Sequence, residues 1–158
     1  MSEIKLDRTD RQILGELQGN GRLSNQDLAD KVSLSPSPCL RRVRRLEEEG
    51  YIDRYVALIN PEKVGLKLLA YVTIRLNKVF RSTDSPVSDF ARDVQNWPEV
   101  TECYAMSGDM DYLLRVQVED LTQFSRFAMD KLMHHPAVVD MRSSFALQRI
   151  KETTELAV

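Results

Sequence analysis

The sequence lacks the features that would mark a membrane protein or an obvious catalytic or metal centre. No apolar run reaches the roughly 18–20 residues that a membrane helix needs, and the first residues hold no apolar segment typical of a signal peptide. Cys39 and Cys103 lie far apart and outside any Cys-x-x-Cys pair, and the adjacent His134 and His135 point to different sides of a helix end. Gly-rich phosphate loops and Gly-x-Ser-x-Gly turns are also absent. We therefore expect a cytoplasmic protein with reduced thiols, no metal, no cofactor and no enzyme activity.

Charge distribution is more informative than net charge. The chain has 158 residues, 42% of them hydrophobic, with 22 basic and 24 acidic side chains and a formal net charge of −2. This length and composition suit one large domain or two small ones with packed cores. Residues 41–45 nevertheless contain four arginines and no acid. Because local field governs contact with phosphates, this cluster makes DNA binding the first hypothesis.

The arginine cluster has helical periodicity. Leu40, Val43 and Leu46 recur at helical spacing and predict the buried side. The opposite side then holds Ser37, Arg41, Arg45 and, less centrally, Arg44, with Arg42 on the flank. The alternative is a solvated face balanced by the acids at 47–49.

Residues 1–55 are predicted to form a three-helix, helix-turn-helix domain of the winged class. Each helix has residues typical of its ends: Asp7 or Thr9 begins the first and Gly19-Asn20-Gly21 ends it, Ser24 with Asp27 begins the second, and Ser35 with Pro36 begins the third, which ends at Gly50. Residues 51–59 alternate in polarity and predict a connecting strand, so that 56–65 form a linker.

Position within a helix-turn-helix assigns roles to this segment. The first half of the third helix, with Ser35 at its cap and Ser37, Pro38 and Arg41 after it, is the part that meets base edges. Phosphate contacts are predicted for a second set: Arg42, Arg44, Arg45 and, at the start of the second helix, Asn25 and Gln26. The last two are as readily explained as ordinary first-turn residues.

Residues 66–158 are predicted to form an α+β domain of order βαββαβ. The first strand alternates over 68–77, and the later strands cover 100–106, 112–118 and 138–147, with a polar connection at 78–85. The inward residues of the two helices are predicted as Val87, Phe90, Ala91, Val94 and Trp97, then Leu121, Phe124, Ala128 and Leu132. This order fits a ferredoxin-like sandwich, whose uncovered sheet face favours a dimer.

A loop between two strands offers a candidate ligand site at Met106, Ser107, Gly108, Asp109, Met110, Asp111 and Tyr112. Free backbone N–H groups around Gly108 suit a carboxylate, and Asp109 or Asp111 suits an ammonium group, so that the loop matches an α-amino acid. The alternative is a plain β-turn in which Gly108 takes positive φ and Asp109 closes the turn.

Ordered motifs through most of the chain resemble the Lrp/AsnC family of feast/famine regulators. They include Leu6-Asp7-x-x-Asp10-x-x-Ile13-Leu14, Leu34-Ser35-x-x-Pro38-Cys39-x-x-Arg42, Gly108-x-x-Asp111-Tyr112 and Ser143-Ser144-Phe145. The resemblance implies a bacterial, nucleoid-associated transcription regulator that binds double-stranded DNA and an amino acid effector. It also implies dimers formed through the sheets and assembled into octamers, with Ser144 and Ala146 contributing to the effector site across a boundary between dimers.

Three functions remain open at this level. The leading one is a regulator of amino acid metabolism genes with a branched-chain, methionine or cysteine effector, because Met106 and Met110 suit an apolar or sulfur-containing side chain. The second is an effector-independent architectural protein that wraps DNA. The third is an enzyme similar to sirohaem decarboxylases, which resemble this family in both domains.

Overall fold

A computed structural model describes residues 6–77 and 86–158, without the side chains of 86–88. The helices are α1 Arg8–Gly19, α2 Asn25–Lys31, α3 Pro36–Glu48, α4 Pro86–Val94 and α5 Leu121–Phe127, which continues as a π-helix over Ala128–Met133. The strands are β1 Leu68–Leu76, β2 Val100–Ala105, β3 Tyr112–Val118 and β4 Val138–Phe145. The predicted connection at 78–85 lies outside the described residues.

Backbone contacts divide the chain into two compact units. The first comprises Met1–Leu58 with Lys151–Val158, and the second comprises Ile59–Ile150. The tail at 151–158 contacts the first unit, and the predicted domain boundaries stay predictions. The contact includes a reciprocal pair of hydrogen bonds: Gln18 Nε2 donates to the Leu156 carbonyl at 3.0 Å, and the Leu156 N–H donates to Gln18 Oε1 at 2.6 Å.

The helix ends of the first unit follow the predicted cap residues. Asp7 caps α1 in a reciprocal capping box with Asp10, and the Ser24 side chain accepts from the Asp27 N–H. Ser35 occupies the N-cap of α3, but its side chain makes no capping hydrogen bond. At the other end, Gly50 has a φ of +75° and follows the C-cap of α3. This left-handed residue ends the helix as expected.

The core of the first unit corrects one prediction for α3. Ile13, Leu28, Ala29 and Leu46 are buried, but Leu40 is 38% exposed. Cys39 takes the buried place at 0% exposure, with Val43 half-buried beside it. The expectation for Leu40 was wrong because a helix turned by one residue satisfies the same spacing, and only packing against α1 and α2 decides the turn.

The predicted strand over 51–59 was also wrong. Residues 51–52 form a bend, no regular structure follows as far as residue 60, and a short 3₁₀ turn forms at Glu62–Val64. A polarity pattern of period two becomes a strand only when a neighbouring strand supplies ladder hydrogen bonds. No such neighbour is present among the described residues 6–58, which contain α1, α2 and α3 and no strand.

The second unit is a four-stranded antiparallel sheet in the order β2-β3-β1-β4, with its helices packed on one face. This confirms the α+β class and the ferredoxin-like βαββαβ order. Residues of β1 and β3 alternate as predicted, and Ala70, Val72, Leu114 and Val116 are fully buried. β4 ends at Phe145, and the Ala146 N–H still donates to the Leu69 carbonyl at 2.9 Å.

Two of the predicted inward helix residues are corrected. Ala91 is exposed on α4, and Leu121 is 57% exposed on α5. Phe90 is buried as predicted, at 0% exposure, and on α5 the residue buried in place of Leu121 is Phe127, at 3% exposure. Large aromatic rings fill the space between helices and sheet, so they fix the rotation of each helix at the expense of smaller neighbours.

Candidate nucleic-acid interface and ligand loop

The outward face of α3 carries exposed guanidinium groups. Ser37, Arg41 and Arg44 are exposed, and Arg41 and Arg44 have no carboxylate partner within 4.0 Å among the described residues. An open depression runs along this face and is lined by Ser37, Leu40, Arg41, Arg42, Arg44, Arg45 and Glu48. A convex helix with two uncompensated cations on its outer side can lie against a polyanion.

The other two arginines of the cluster are held by α1. Arg42 Nη1 lies 2.6 Å from Asp7 Oδ2 and 2.7 Å from Asp10 Oδ1, and Arg45 Nη2 lies 2.6 Å from Asp10 Oδ2. Asp10 itself is 1% exposed. The phosphate role predicted for Arg42 and Arg45 stays a prediction, and these short ion pairs compete with it.

Sequence reasoning missed Asp10 as a member of this site. One signal was available: Asp10 precedes Ile13 and Leu14 by three and four residues, which places an acid on the apolar side of α1. A buried carboxylate must be paired, so its position pointed to a basic partner on another helix. The three-dimensional structure identifies that partner as the flank of α3.

Titration of this cluster follows from its contacts. The Asp10 N–H and the Arg42 guanidinium hold the pKa of the Asp7 carboxyl below its ordinary value. Hydrogen bonds from the Arg42 guanidinium to the carboxylates of Asp7 and then Asp10 raise the pKa of Arg42. Both shifts favour the charged forms of Asp7 and Arg42.

Two of the remaining predicted DNA contacts, Asn25 and Gln26, form hydrogen bonds within the first unit. Asn25 Nδ2 donates to the Pro36 carbonyl at 2.9 Å, and this bond ties the start of α2 to the start of α3. Gln26 Nε2 donates to Asp30 Oδ1 at 3.2 Å along α2. Pro38 is half-buried and Ser35 is exposed. These positions surround the amino-terminal end of α3, and their contacts with DNA stay predictions.

The loop at 106–112 is bent, and the Met106 N–H donates to the Asp111 carbonyl at 2.8 Å across it, while the described residues show no i to i+3 turn bond around Gly108. Gly108 has a φ of +113° as predicted, and a Cβ there would meet nothing within 4 Å. Among the described residues, the N–H groups of Ser107, Gly108, Asp109 and Met110 have no protein acceptor. The Met106–Asp111 bond closes the loop and leaves these four N–H groups at its tip, so the ligand interpretation and the β-turn alternative both stay predictions.

The two acids of this loop differ in their surroundings. Asp111 Oδ2 accepts from the Leu76 N–H at 2.8 Å, and the Asp111 N–H donates to the Ile74 carbonyl at 2.8 Å. Asp111 therefore extends the end of β1 and anchors the loop. Asp109 is exposed at the tip, so it is the acid whose carboxylate faces solvent.

Ser144 and Ala146 do not join the loop within one chain. Ser144 pairs with Tyr71, and the Ala146 N–H bonds to Leu69, whereas the loop is tied to Ile74 and Leu76. Along β1, five residues separate Leu69 from Ile74, which corresponds to about 17 Å. One site containing both sets therefore needs two copies of the chain.

Histidines and cysteines form no reactive cluster in the described part of the chain. His135 is 8% exposed, accepts from the Ala137 N–H and packs edge-on against Phe90. His134 contacts the Met129 carbonyl. Burial raises the pKa of both thiols, Cys39 and Cys103. No group of three metal-ligating side chains is found among residues 6–77 and 86–158, and no helix there is long and apolar enough to cross a membrane.

A helix-turn-helix with an uncompensated arginine face, followed by a ferredoxin-like domain, defines a DNA-binding transcriptional regulator with a separate ligand-binding domain. Residues 6–53 match the winged helix-turn-helix DNA-binding family, and residues 69–156 match the Lrp/AsnC ligand binding domain. The protein belongs to the Lrp/AsnC family of transcriptional regulators.

Similar proteins span nearly the whole chain. The leucine-responsive regulatory protein of Escherichia coli strain K12 is 42% identical over 153 residues, covering 97% of this chain and 92% of its own length. A transcriptional regulator from Neisseria meningitidis, solved in complex with L-Met, is 46% identical with a TM-score of 0.91 and coverage of 97% of both chains. An AsnC family regulator from Agrobacterium tumefaciens is 43% identical, with a TM-score of 0.88 and coverage of 96% of this chain and 97% of its own.

Proposed function

We propose that this regulator reads DNA with Ser37, Arg41 and Arg44 of α3 and responds to an apolar or sulfur-containing amino acid of the methionine or branched-chain type. One observation carries the DNA-reading face: Arg41 and Arg44 are exposed and have no carboxylate partner in the described part of the chain, while Arg42 and Arg45 are paired to α1. Arg41, in the first half of α3, suits bidentate contact with guanine, and Arg44 suits a phosphate.

The effector site is proposed at the loop around Gly108. Its open N–H groups suit the carboxylate of an amino acid, and the exposed Asp109 suits the ammonium group. Met106 is 46% exposed and Met110 is half-buried, so both offer soft apolar surface to a side chain. The Neisseria relative solved with L-Met supports methionine as the first candidate.

Self-association completes this site. The sheet face opposite the helices exposes Tyr71 and Tyr104, at 41% and 54%, and no described element covers it. The separation of Ser144 and Ala146 from the loop within one chain supports an effector site shared between copies. We therefore propose a dimer formed through the sheets and an octamer of four dimers, acting on the nucleoid in the bacterial cytoplasm and without enzymatic activity or a cofactor.

Calorimetric titration with each standard amino acid tests the effector class. Methionine, leucine or cysteine is expected to bind, and binding only of acidic or basic amino acids would contradict the proposal. Gly108→Ala is the loop variant, and Gly15→Ala is its control because a Cβ there meets nothing within 4 Å and φ is ordinary.

Footprinting on the protein's own and neighbouring promoters tests the regulatory response. The protected region or its affinity should change when the bound amino acid is added. Unchanged, sequence-independent protection would support the architectural alternative, and tetrapyrrole affinity without salt-dependent DNA binding would support the enzymatic one.

A further inference from the structure

The ion-pair cluster between α1 and α3 has a role in sequence discrimination. We propose that Asp10 is a positioning residue for DNA reading: it sequesters Arg42 and Arg45 from phosphates and fixes the rotation of α3, so that Arg41 and Arg44 alone face the DNA. This inference rests on the proposed DNA-reading face. It adds a residue that contacts no DNA and still decides which sequences are preferred.

The geometry of Asp10 supports this role. Its side chain is 2% exposed and both carboxylate oxygens are used, Oδ1 by Arg42 at 2.7 Å and Oδ2 by Arg45 at 2.6 Å. The capping box with Asp7 fixes the backbone of α1 at the same point. The position of Asp10 is therefore fixed, and its carboxylate binds side chains from two successive turns of α3 on one side of that helix.

These ion pairs fix the rotation of α3 about its own axis. Arg42 and Arg45 lie on the flank between the buried side, at Cys39 and Leu46, and the outward side at Arg41. Side-chain atoms lie about 6 Å from a helix axis, so a rotation of about 10° displaces them by about 1 Å. A bidentate contact with a base does not survive such a displacement, whereas a charge contact with a phosphate does.

Sequestration is the second consequence. Arg42 and Arg45 are 29% and 37% exposed, so they can reach solvent once released. Asp10 is the partner that they share, and Asp7 at 2.6 Å from Arg42 and Glu49 at 3.9 Å from Arg45 restrain them further. Each added phosphate contact steepens the dependence of log K on log salt by about 0.9. The added contact therefore tightens binding about eightfold at 0.1 M salt relative to its effect at 1 M salt. Because this gain is the same for every sequence, it raises non-specific binding.

Asp10→Asn tests the proposal with the full-length protein. Its affinity is measured by fluorescence anisotropy over a series of KCl concentrations, on a duplex selected from a random library and on a scrambled duplex of equal length. We expect the variant to bind the scrambled duplex several-fold more tightly, with a steeper salt slope, and to lose about tenfold of its preference for the selected duplex. A merely structural role predicts weaker binding to both duplexes.

Two further variants separate charge from position. Glu16→Gln also removes a carboxylate from α1 and releases a cation, Lys31, whose Nζ lies 2.8 Å from Glu16 Oε2 and is not on α3. This control should leave the preference unchanged. Adding Arg42→Gln and Arg45→Gln to Asp10→Asn should return scrambled-duplex affinity to the parental value without restoring the preference.

The outcomes distinguish this inference from the function on which it rests. If the parental protein shows no salt-dependent DNA binding, the proposed DNA-reading face is wrong. If the parental protein prefers its selected duplex and Asp10→Asn keeps that preference, or weakens both duplexes equally while remaining folded by circular dichroism, the role of Asp10 is overturned. If Asp10→Asn fails to fold, Arg42→Gln alone serves as the second variant. It should lower the preference for the selected duplex over the scrambled one while leaving the salt slope of binding unchanged. An unchanged preference would refute the positioning role of Asp10.

Discussion

Arg42 and Arg44 are two residues apart on α3, yet truncating them should affect different properties. Truncation of Arg42 should lower the stability of the first unit, whereas truncation of Arg44 should weaken DNA binding. Arg42 pairs with Asp10, whose side chain is 2% exposed, and with Asp7. Leaving a buried charge without any partner costs about 3–5 kcal/mol. In Arg42→Ala, Asp10 still has an ion pair with Arg45, and the Arg42 side chain is itself 29% exposed in the parental protein. We therefore expect Arg42→Ala to lower the free energy of unfolding of the first unit by about 1–3 kcal/mol, which is less than the full cost.

Arg44→Ala removes an exposed side chain that has no carboxylate partner among the described residues. Its effect on the free energy of unfolding should stay within about 0.5 kcal/mol. Loss of one phosphate contact should instead reduce the salt slope of DNA binding by about 0.9 per helix-turn-helix unit.

Differential scanning calorimetry and salt-dependent anisotropy measure the two effects separately. For a unit of this size, about 2 kcal/mol corresponds to a fall in Tm of about 8–16 °C, which is well resolved. The reasoning would be refuted if Arg44→Ala lowered Tm as much as Arg42→Ala, or if Arg42→Ala kept the parental Tm and flattened the salt slope.

Three other perturbations have defined outcomes. Arg41→Ala should cost about 1–3 kcal/mol of binding to a selected duplex and relax sequence preference, and an equal loss on a scrambled duplex would disprove base contact. Gly108→Ala places a side chain at a φ of +113°, so calorimetry should show weaker effector binding and about 1–3 kcal/mol less stability, although the added Cβ meets nothing. Burial, with help from Glu47, raises the pKa of Tyr55 to about 12, so its stabilising contribution is complete below pH 10 and is lost as pH rises through about 12. Ultraviolet titration should show this late tyrosinate, and its persistence in Tyr55→Phe would assign it elsewhere.

Local chemistry made the helix ends and the strand alternation predictable. A side-chain oxygen at Ser24 and a left-handed residue at Gly50 act within one turn of the chain. In the structure Ser24 caps α2, and Gly50 follows the C-cap of α3. The alternation of β1 and β3 was equally legible, since strand residues face opposite sides in turn.

Errors arose where a local pattern admits two solutions. Leu40 and Cys39 compete for the buried side of α3, and Leu121 and Phe127 compete on α5. Which residue of each pair is buried depends on the surface against which the helix packs, and that surface is formed by segments remote in sequence. The expected strand at 51–59 failed for a related reason, because strand pairing requires a partner that periodicity does not supply.

The sequence by itself determined the two-domain order, the helix-turn-helix, the ferredoxin-like topology and a cluster of four arginines on one helix. It placed Arg41, Arg44 and Arg45 on the outward side of that helix and Arg42 on its flank, and predicted DNA contacts for all four. Charge and spacing along one segment do not show which remote residues pack against it. Tertiary structure alone decided that the buried Asp10 pairs with Arg42 and Arg45, and that Arg41 and Arg44 have no carboxylate partner among residues 6–77 and 86–158. A buried carboxylate is stable only when it is paired with cations, and only folding brings α1 and α3 close enough for these ion pairs to form.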